Sequence, residues 1–259
     1  MADPIKATWC LNDNLGDKLT PWLIKKITGQ LPIHLDPKEN NGPKLLGVGS
    51  VLNWIRSQET IVWGSGIADE HDIINFADFR LVRGPICSDK IKEKFNKIIP
   101  YGDPGLIVPK FIPNRESQIG KIGILPHYID QNIAWKKLLN KDNIIFINIL
   151  STVEEVCDDI CKCKFVFCSS LHGLILCDAF GISNILIKLS DNILGDGTKY
   201  RDYFMSVNRE FKYMDCRGTD IPISNTDSLI SLFRIDKQRI DQLKENIWQT
   251  CPFKDGILR

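Results

Sequence analysis

The stretch Phe165-Val166-Phe167-Cys168-Ser169-Ser170-Leu171-His172-Gly173-Leu174-Ile175-Leu176 decides the fold. An apolar run of strand length stops at two serines suited to N-capping, and a helix begins with an imidazole in its first turn. Such a joint is the repeating unit of an open α/β sheet, and the chain repeats it in both directions from here. Short apolar runs read as buried strands at 7–11, 45–48, 60–63, 79–82, 121–125, 144–147, 165–167 and 184–187. Helical patterns alternate with them at 17–27, 88–95, 132–139, 152–161, 171–180 and 228–248. The last carries an apolar stripe of Leu229, Ile230, Leu232, Phe233, Ile240, Leu243 and Ile247, suited to packing back across one or both halves.

At roughly 150 residues per domain, a chain of 259 residues accommodates one large α/β domain or two small ones closing on a cleft. The region 104–120 favours two. Pro104, Pro109 and Pro113 interrupt the periodicity there, and Asn114-Arg115-Glu116-Ser117-Gln118 is wholly polar. The expected fold is therefore α/β, with Rossmann-like halves at 1–112 and 113–226 facing a cleft and a closing helix and tail over 227–259.

Composition excludes several functions. A hydrophobic fraction of 43% with 25% charged residues belongs to a globular chain, not a disordered or fibrous one. Lys and Arg total 33 against 32 Asp and Glu, a formal charge of +1, so no global basic field serves nucleic acid and any anion specificity is local. No run approaches the ~18 apolar residues of a membrane span. The start carries Asp3 and no basic region followed by an apolar one, so a secretory leader is not expected and a cytoplasmic location is. The nine cysteines are an odd count set in or beside apolar segments, which reads as reduced thiols. Cys157, Cys161, Cys163 and Cys168 cluster without paired C-x-x-C knuckles, so no metal is expected.

Ligands of open α/β sheets bind at the carboxyl ends of strands, and several of those ends are polar here. Ser169, Ser170 and His172 combine free helix-start N–H groups with a proton donor or acceptor, or they only cap the helix. Arg83 leaves the strand 79–82 in Val82-Arg83-Gly84-Pro85, with Ser88 placed to cap the next helix. Its guanidinium suits a phosphate or carboxylate, or it pairs with an acid such as Asp78 or Asp89. Asn12-Asp13-Asn14-Leu15-Gly16-Asp17 offers amides and carboxylates for sugar hydroxyls, with Asp17 alternatively an N-cap. Gly47-Val48-Gly49-Ser50 and Trp63-Gly64-Ser65-Gly66 are glycine turns after strands, and neither a G-x-G-x-x-G nor a P-loop motif is present. Gly102-Asp103-Pro104-Gly105 reads as a turn between the halves. Pro126-His127-Tyr128-Ile129-Asp130 brings a second imidazole and an acid to the same rim, whereas His34 and His71 fall in loop-like, solvated stretches. The segment 195–204, with Lys199 and Arg201, reads as a charged loop able to close over an anionic ligand, or as a solvated loop followed by a short packed helix.

Taken in order, Asn14-Leu15-Gly16-Asp17, Gly47-Val48-Gly49-Ser50, Trp63-Gly64-Ser65-Gly66, Val82-Arg83-Gly84-Pro85, Gly102-Asp103-Pro104-Gly105, Pro126-His127-Tyr128, Ser169-Ser170-Leu171-His172-Gly173 and Lys199-Tyr200-Arg201-Asp202-Tyr203 resemble the polysaccharide pyruvyl transferase family. The resemblance implies a glycosyltransferase-B-like fold. It also implies transfer of the pyruvyl group of phosphoenolpyruvate onto a sugar as a ketal, with release of phosphate and no cofactor beyond the donor substrate. Partners would be phosphoenolpyruvate and a sugar or glycan acceptor, free or lipid-linked. By motif, His172 and Arg83 would be catalytic, Arg83 binding phosphate or carboxylate and His172 acting as general acid/base. Ser169, Ser170, Lys199, Arg201 and His127 would surround the donor, and Asn14, Asp17 and Ser65 the acceptor. Several family members carry an Arg two residues before the helix-start histidine. This chain has Ser170 there, with Lys199 or Arg201 as the nearest replacement cation. Two other readings stay open at this point: a nucleotide-sugar glycosyltransferase, and a non-catalytic glycan- or anion-binding relative.

Overall fold

The protein is described by a computed structural model covering residues 4–12, 14–38, 43–112, 120–136, 143–233 and 235–254. In chain order its elements are β1 (Lys6–Thr8), α1 (Leu15–Thr28), β2 (Ile33–His34), β3 (Lys44–Leu46), β4 (Thr60–Ser65), β5 (Asp78–Val82), α2 (Pro85–Phe95), β6 (Lys121–Leu125), α3 (Gln131–Lys136), β7 (Ile144–Phe146), α4 (Val153–Cys161), β8 (Cys163–Cys168), α5 (Leu171–Phe180), β9 (Ser183–Lys188), α6 (Thr198–Ser206), β10 (Met214–Asp215), α7 (Thr226–Leu232) and α8 (Lys237–Gln249). Short 3₁₀ turns at Leu52–Trp54, Pro104–Lys110, Tyr128–Asp130 and Ile223–Asn225 complete the set.

The strands form two five-stranded sheets, ordered β2-β1-β3-β4-β5 and β10-β9-β8-β6-β7. Every strand pairing is parallel. Numbered within itself, the second sheet repeats the order of the first, so each is a Rossmann-like unit whose winding reverses beside its first strand. The reversal lies between β1 and β3 in one sheet and between β6 and β8 in the other. Parallel sheets are covered on both faces, which is why all six residues of β4 are buried and why the sequence reads as short continuous apolar runs.

The chain divides into two compact units that are discontinuous in sequence. The first comprises Met1–Ile107, Gly195–Phe211 and Gln238–Arg259, and the second Val108–Leu194 and Lys212–Lys237. Contiguous halves at 1–112 and 113–226 do not coincide with these units, because α6 and α8 group with the first. Pro113 and the polar run 114–118 lie outside the described residues. The first core gathers Leu46, Leu52, Val62, Ile67, Val82 and Ile91, and the second Ile124, Phe165, Phe167, Ile185 and Ile187.

All eight expected strands are present. The two edge strands β2 and β10, each of two residues, are additional. His34 is accordingly not a solvated loop residue: its ring packs edge-on against Trp9 at 4.6 Å and its Nε2 lies 3.0 Å from the Trp9 carbonyl. The expected final helix is two, α7 and α8. Leu229, Ile230 and Phe233 join the second core, whereas Ile240, Leu243 and Ile247 are buried in the first unit. Ser88 does not cap α2, which begins three residues earlier at Pro85 with Gly84 as N-cap; its hydroxyl donates to Ile99 O at 2.7 Å.

Gly64 shows how closely the first unit is packed behind its strand ends. Its φ is +87°, and a Cβ there would lie 2.0 Å from Pro104 Cδ. Gly64→Ala is expected to lower stability by more than about 2 kcal/mol through strain and overlap together. Urea unfolding followed by tryptophan fluorescence should show the midpoint moving to lower denaturant.

Candidate functional site

In the second unit the two strands flanking the reversal point end side by side, Leu125 of β6 in register with Cys168 of β8. The residues that leave them are locked together. Ser169 N donates to Leu125 O at 3.1 Å, and His127 N donates to Ser169 Oγ at 2.8 Å. Ser169 Oγ in turn donates to Asp130 Oδ2 at 3.2 Å, and Ser190 Oγ, just beyond β9, donates to Asp130 Oδ1 at 2.6 Å. Asp130 is fully buried. One carboxylate therefore ties the ends of three neighbouring strands, and it satisfies the rule that a buried charge must be hydrogen-bonded.

This rim carries both imidazoles of the site. His127 stacks on Tyr128 with ring centroids 4.5 Å apart, and its Nδ1 accepts from Ile129 N at 3.4 Å. Ser170 Oγ accepts from Gly173 N at 3.5 Å and caps α5, so its role in the free protein is structural. His172 is half-buried in the first turn of α5. Gly173 lets that turn press on the strand ends, for a Cβ there would meet Cys168 Sγ at 2.6 Å and Leu125 Cδ2 at 2.7 Å.

In the first unit, Asn14 caps α1 by accepting from Gly16 N at 3.0 Å, and its Nδ2 donates to the Asp17 carboxylate. Burial pushes the Asp17 carboxyl from 3.8 up to about 7, against the hydrogen bond from Asn14. Ser65 closes β4 fully buried, with Oγ donating to Gly49 O at 3.1 Å. Arg83 is 0% exposed and pairs with neither Asp78 nor Asp89 but with Asp202 of α6. Its Nε donates to Asp202 Oδ2 at 3.1 Å, Nη1 to Ser50 Oγ at 2.8 Å and Nη2 to Ile67 O at 2.7 Å. The expectation of an Arg emerging toward a ligand is corrected here: a guanidinium following a fully buried strand end is neutralised inside the protein.

The segment expected as a charged loop contains helix α6, so the alternative of a short packed helix is the one realised. Arg201 Nη2 donates to Thr198 Oγ1 at 2.6 Å and lies 3.3 Å from Asp196 and 3.4 Å from Glu70. Lys199 sits in the first turn, and burial, then the charge of Arg83, lowers its amine from 10.5 to about 8. Gly102-Asp103-Pro104-Gly105 lies within the first unit and does not join two halves. Asp103 there is buried, accepts from Gly105 N at 2.8 Å, and is pushed up to about 6, mainly by burial.

The structure thus brings His127, Ser169, Ser170 and His172 together in the second unit, and couples Arg83 to Lys199 in the first. Asp130 is the acid the sequence brings to this rim, whereas Asp202 and Ser190 carry no local signal of their roles. The signal for Asp202 was available in principle, since an Arg predicted at the end of a buried strand requires a carboxylate partner. None of the nine cysteines forms a disulfide, and eight are buried. Among the described residues, no group of three or more His, Cys, Asp or Glu is placed to hold a metal ion.

The raised carboxyls make stability fall with pH. Asp17 takes up its proton near 3.8 when unfolded and near 7 when folded, so the native state binds that proton more tightly. Its contribution is complete below the unfolded value and is lost as pH rises through the folded one, with Asp103 acting in the same direction up to about 6. Asp17→Asn is expected to flatten the stability profile between about pH 4 and 7 by on the order of 2 kcal/mol, allowing for its partial exposure. Urea unfolding at a series of pH values reads this directly, and an unchanged slope would contradict it.

Comparison with known proteins places this geometry in a family. The polysaccharide pyruvyl transferase profile matches residues 53–191, just over half of the chain. Uncharacterized protein L143 of Acanthamoeba polyphaga mimivirus is 27% identical over 201 residues, 73% of this chain and 69% of that protein. Succinoglycan biosynthesis protein ExoV of Rhizobium meliloti (strain 1021) is 26% identical over 213 residues, 77% of this chain and 63% of that one. The chain therefore spans less than two thirds of the length of this second relative. A crystal structure of a functionally uncharacterized protein from Klebsiella pneumoniae subsp. pneumoniae NTUH-K2044 overlaps 78% of this chain and 87% of its own, with a TM-score of 0.43 and 14% identity. The matched span contains Arg83, His127 and the Ser169-Ser170-Leu171-His172-Gly173 helix start, and the chain belongs to the polysaccharide pyruvyl transferase family.

Proposed function

We propose that the protein transfers the pyruvyl group of phosphoenolpyruvate onto two hydroxyls of a sugar in a glycan or polysaccharide precursor, forming a cyclic ketal and releasing phosphate. The observation that carries this reading is the family match, which includes the second unit's reversal-point rim and its two imidazoles. The reaction needs a proton at the methylene carbon of the donor, which creates an oxocarbenium-like centre. A hydroxyl then attacks and loses its proton, phosphate departs with the C–O bonding pair, and the second hydroxyl closes the ring. His172 is the general acid/base in this scheme. His127 is a hydrogen-bonding group for a donor oxygen, and Ser169 and Ser170 frame it.

Among the cations assigned to the donor by motif, Lys199 has an amine lowered to about 8, chiefly by burial. Arg83 is enclosed by its partners and Arg201 is engaged by Thr198, Asp196 and Glu70. By motif, Lys199 or Arg201 is assigned the charge that Ser170 does not supply, and Asn14 and Asp17 are assigned to the acceptor hydroxyls. Two Rossmann-like units of one strand order are the components of a glycosyltransferase-B-like fold, and that assignment belongs to the same proposal. No described helix is long and apolar enough to cross a membrane. The reading places the protein in the cytoplasm, where phosphoenolpyruvate is made, acting on a free or lipid-linked acceptor without a further cofactor.

Purified protein given phosphoenolpyruvate and a panel of galactosides, mannosides and N-acetylhexosamines is expected to release phosphate. The acceptor should gain the mass of pyruvate less one water. His172→Ala should lower kcat by about 10² to 10⁴, the usual loss for a general acid/base. A rise in melting temperature with nucleotide sugars and not with phosphoenolpyruvate would instead indicate a glycosyltransferase, and binding without turnover a non-catalytic relative.

The lowered amine of Lys199 adds a pH test. Its charge is present below about 8 and lost above it, so KM for phosphoenolpyruvate is expected to rise as pH passes through that value. Lys199→Arg, always charged, should hold KM flat over the same range.

A further inference from the structure

The first unit carries a cleft of about 470 Å³ lined entirely by its own residues. One wall is a single face of α2: Pro85, Ser88, Asp89 and Lys92 stand at helical spacings of i, i+3, i+4 and i+7. A second wall comes from α8, where Arg239 and Asn246 lie two turns apart on one face. The segment 98–101 completes the lining.

The backbone under this lining is fixed. Val82 N donates to Pro100 O at 3.1 Å and Gly102 N to Val82 O at 2.8 Å, so the segment is laid along the edge strand β5. α8 is held by Trp63 Nε1 donating to Ile247 O at 3.2 Å, and a Cβ on Gly102 would lie 2.9 Å from Ile247 Cγ1. The cleft is therefore preformed, and its size is that of a small-molecule site.

Its polar groups fall into two sets. Ser88 Oγ is engaged by Ile99 O. Arg239 donates from Nε to Ser206 O at 2.8 Å, from Nη1 to Gln242 Oε1 at 2.6 Å and from Nη2 to the Tyr101 hydroxyl at 3.0 Å. The side chains of Asp89, Lys92 and Asn246, in contrast, make no hydrogen bond or ion pair among the described residues. One carboxylate, one ammonium and one amide thus stand around the apolar carbons of Pro85, Pro100, Tyr101 and Ile98, the last 81% exposed.

That set selects a ligand class. An acyl chain would cover the prolines and Ile98 but strip water from Asp89 and Asn246 without replacing its hydrogen bonds. A phosphate-rich ligand would meet the carboxylate of Asp89, with one of the two cations already engaged by three acceptors. A pyranose answers each group: adjacent hydroxyls donate to a carboxylate and exchange hydrogen bonds with an amide, while the C–H face of the ring lies on proline and tyrosine carbons. A carboxylate on the sugar would pair with Lys92.

We propose that this cleft is a saccharide-binding site that prefers a pyranose carrying one carboxylate, held by Asp89, Asn246 and Lys92. None of these three is among the residues assigned to donor or acceptor. The pyruvyl-transfer reading makes a glycan the natural occupant, whereas the lining argument stands without it.

The test uses the full chain with methyl-labelled isoleucine, which places reporters in the cleft at Ile98 and Ile99 and a control in the second core at Ile185. Methyl β-glucoside is expected to move the Ile98 and Ile99 signals and leave Ile185 in place. Methyl β-glucuronide should bind about fivefold tighter, the worth of one exposed ion pair. Asp89→Ala and Asn246→Ala should each weaken binding of the glucoside about fivefold or more, and Lys92→Met should bring the glucuronide to the affinity of the glucoside. No movement of Ile98 and Ile99 with either sugar, equal affinity for the two, or binding that the three variants leave unchanged would each overturn the proposal. So would movement with inorganic phosphate or octanoate and with neither sugar. No measurement here involves phosphoenolpyruvate, so failure of this site and failure of the pyruvyl-transfer reading are told apart.

Discussion

A guanidinium with no exposed surface is among the most expensive groups a protein can bury, and the first unit is organised around the carboxylate that neutralises Arg83. Burying such an ion costs several kcal/mol before its partner is counted, and removing the partner alone typically costs about 3–5 kcal/mol. The pair is worth having only if its geometry is complete. Here it is, with Ser50, Ile67 and Cys87 N–H occupying the remaining positions. A small set of contacts thereby joins the ends of three strands, the start of α2 and the middle of α6.

The second unit meets the same requirement with a neutral device. Asp130 is held by two serine hydroxyls, one from each of two strand ends. Both solutions follow from the architecture. A parallel sheet covered on both faces has no polar surface except at its edges and ends, so polar groups gather where strands stop. At those ends backbone donors and acceptors must be satisfied, and the groups that satisfy them are also the groups available to a ligand. Structural and chemical roles are therefore adjacent by construction, which is why Ser170 caps a helix two residues from His172.

The alternation of strands and helices was legible because buried parallel strands read as continuous apolar runs and each helix start carries its own punctuation. β6 and α5 appear at the residues expected from sequence. What escaped is what depends on contacts distant in sequence. β2 and β10 are two residues long and have no periodicity to detect. α6 is mixed polar and aromatic, so its sequence left a closing loop and a short packed helix open together, and burial of Asp202 and Tyr203 goes with the helix. The fate of Arg83 turned on a partner 119 residues away. The strand ends carrying the site were visible locally, whereas the division of labour among Arg83, Arg201 and Lys199 was not.

The discontinuity of the first unit bears on how the protein is made. A ribosome delivers residues 1–107 well before 195–211, the segment that contains Asp202. Until then Arg83 has no carboxylate to face and the start of α2 has no cap, so the N-terminal sheet cannot close over its strand ends as it emerges. The second unit is likewise completed only by 212–237. Folding in strict N-to-C order is closed to such a chain; its late segments finish both units, and contacts of long sequence separation set the pace of assembly. The enclosed ion pair that orders the native unit is, during synthesis, an uncompensated positive charge waiting for its partner.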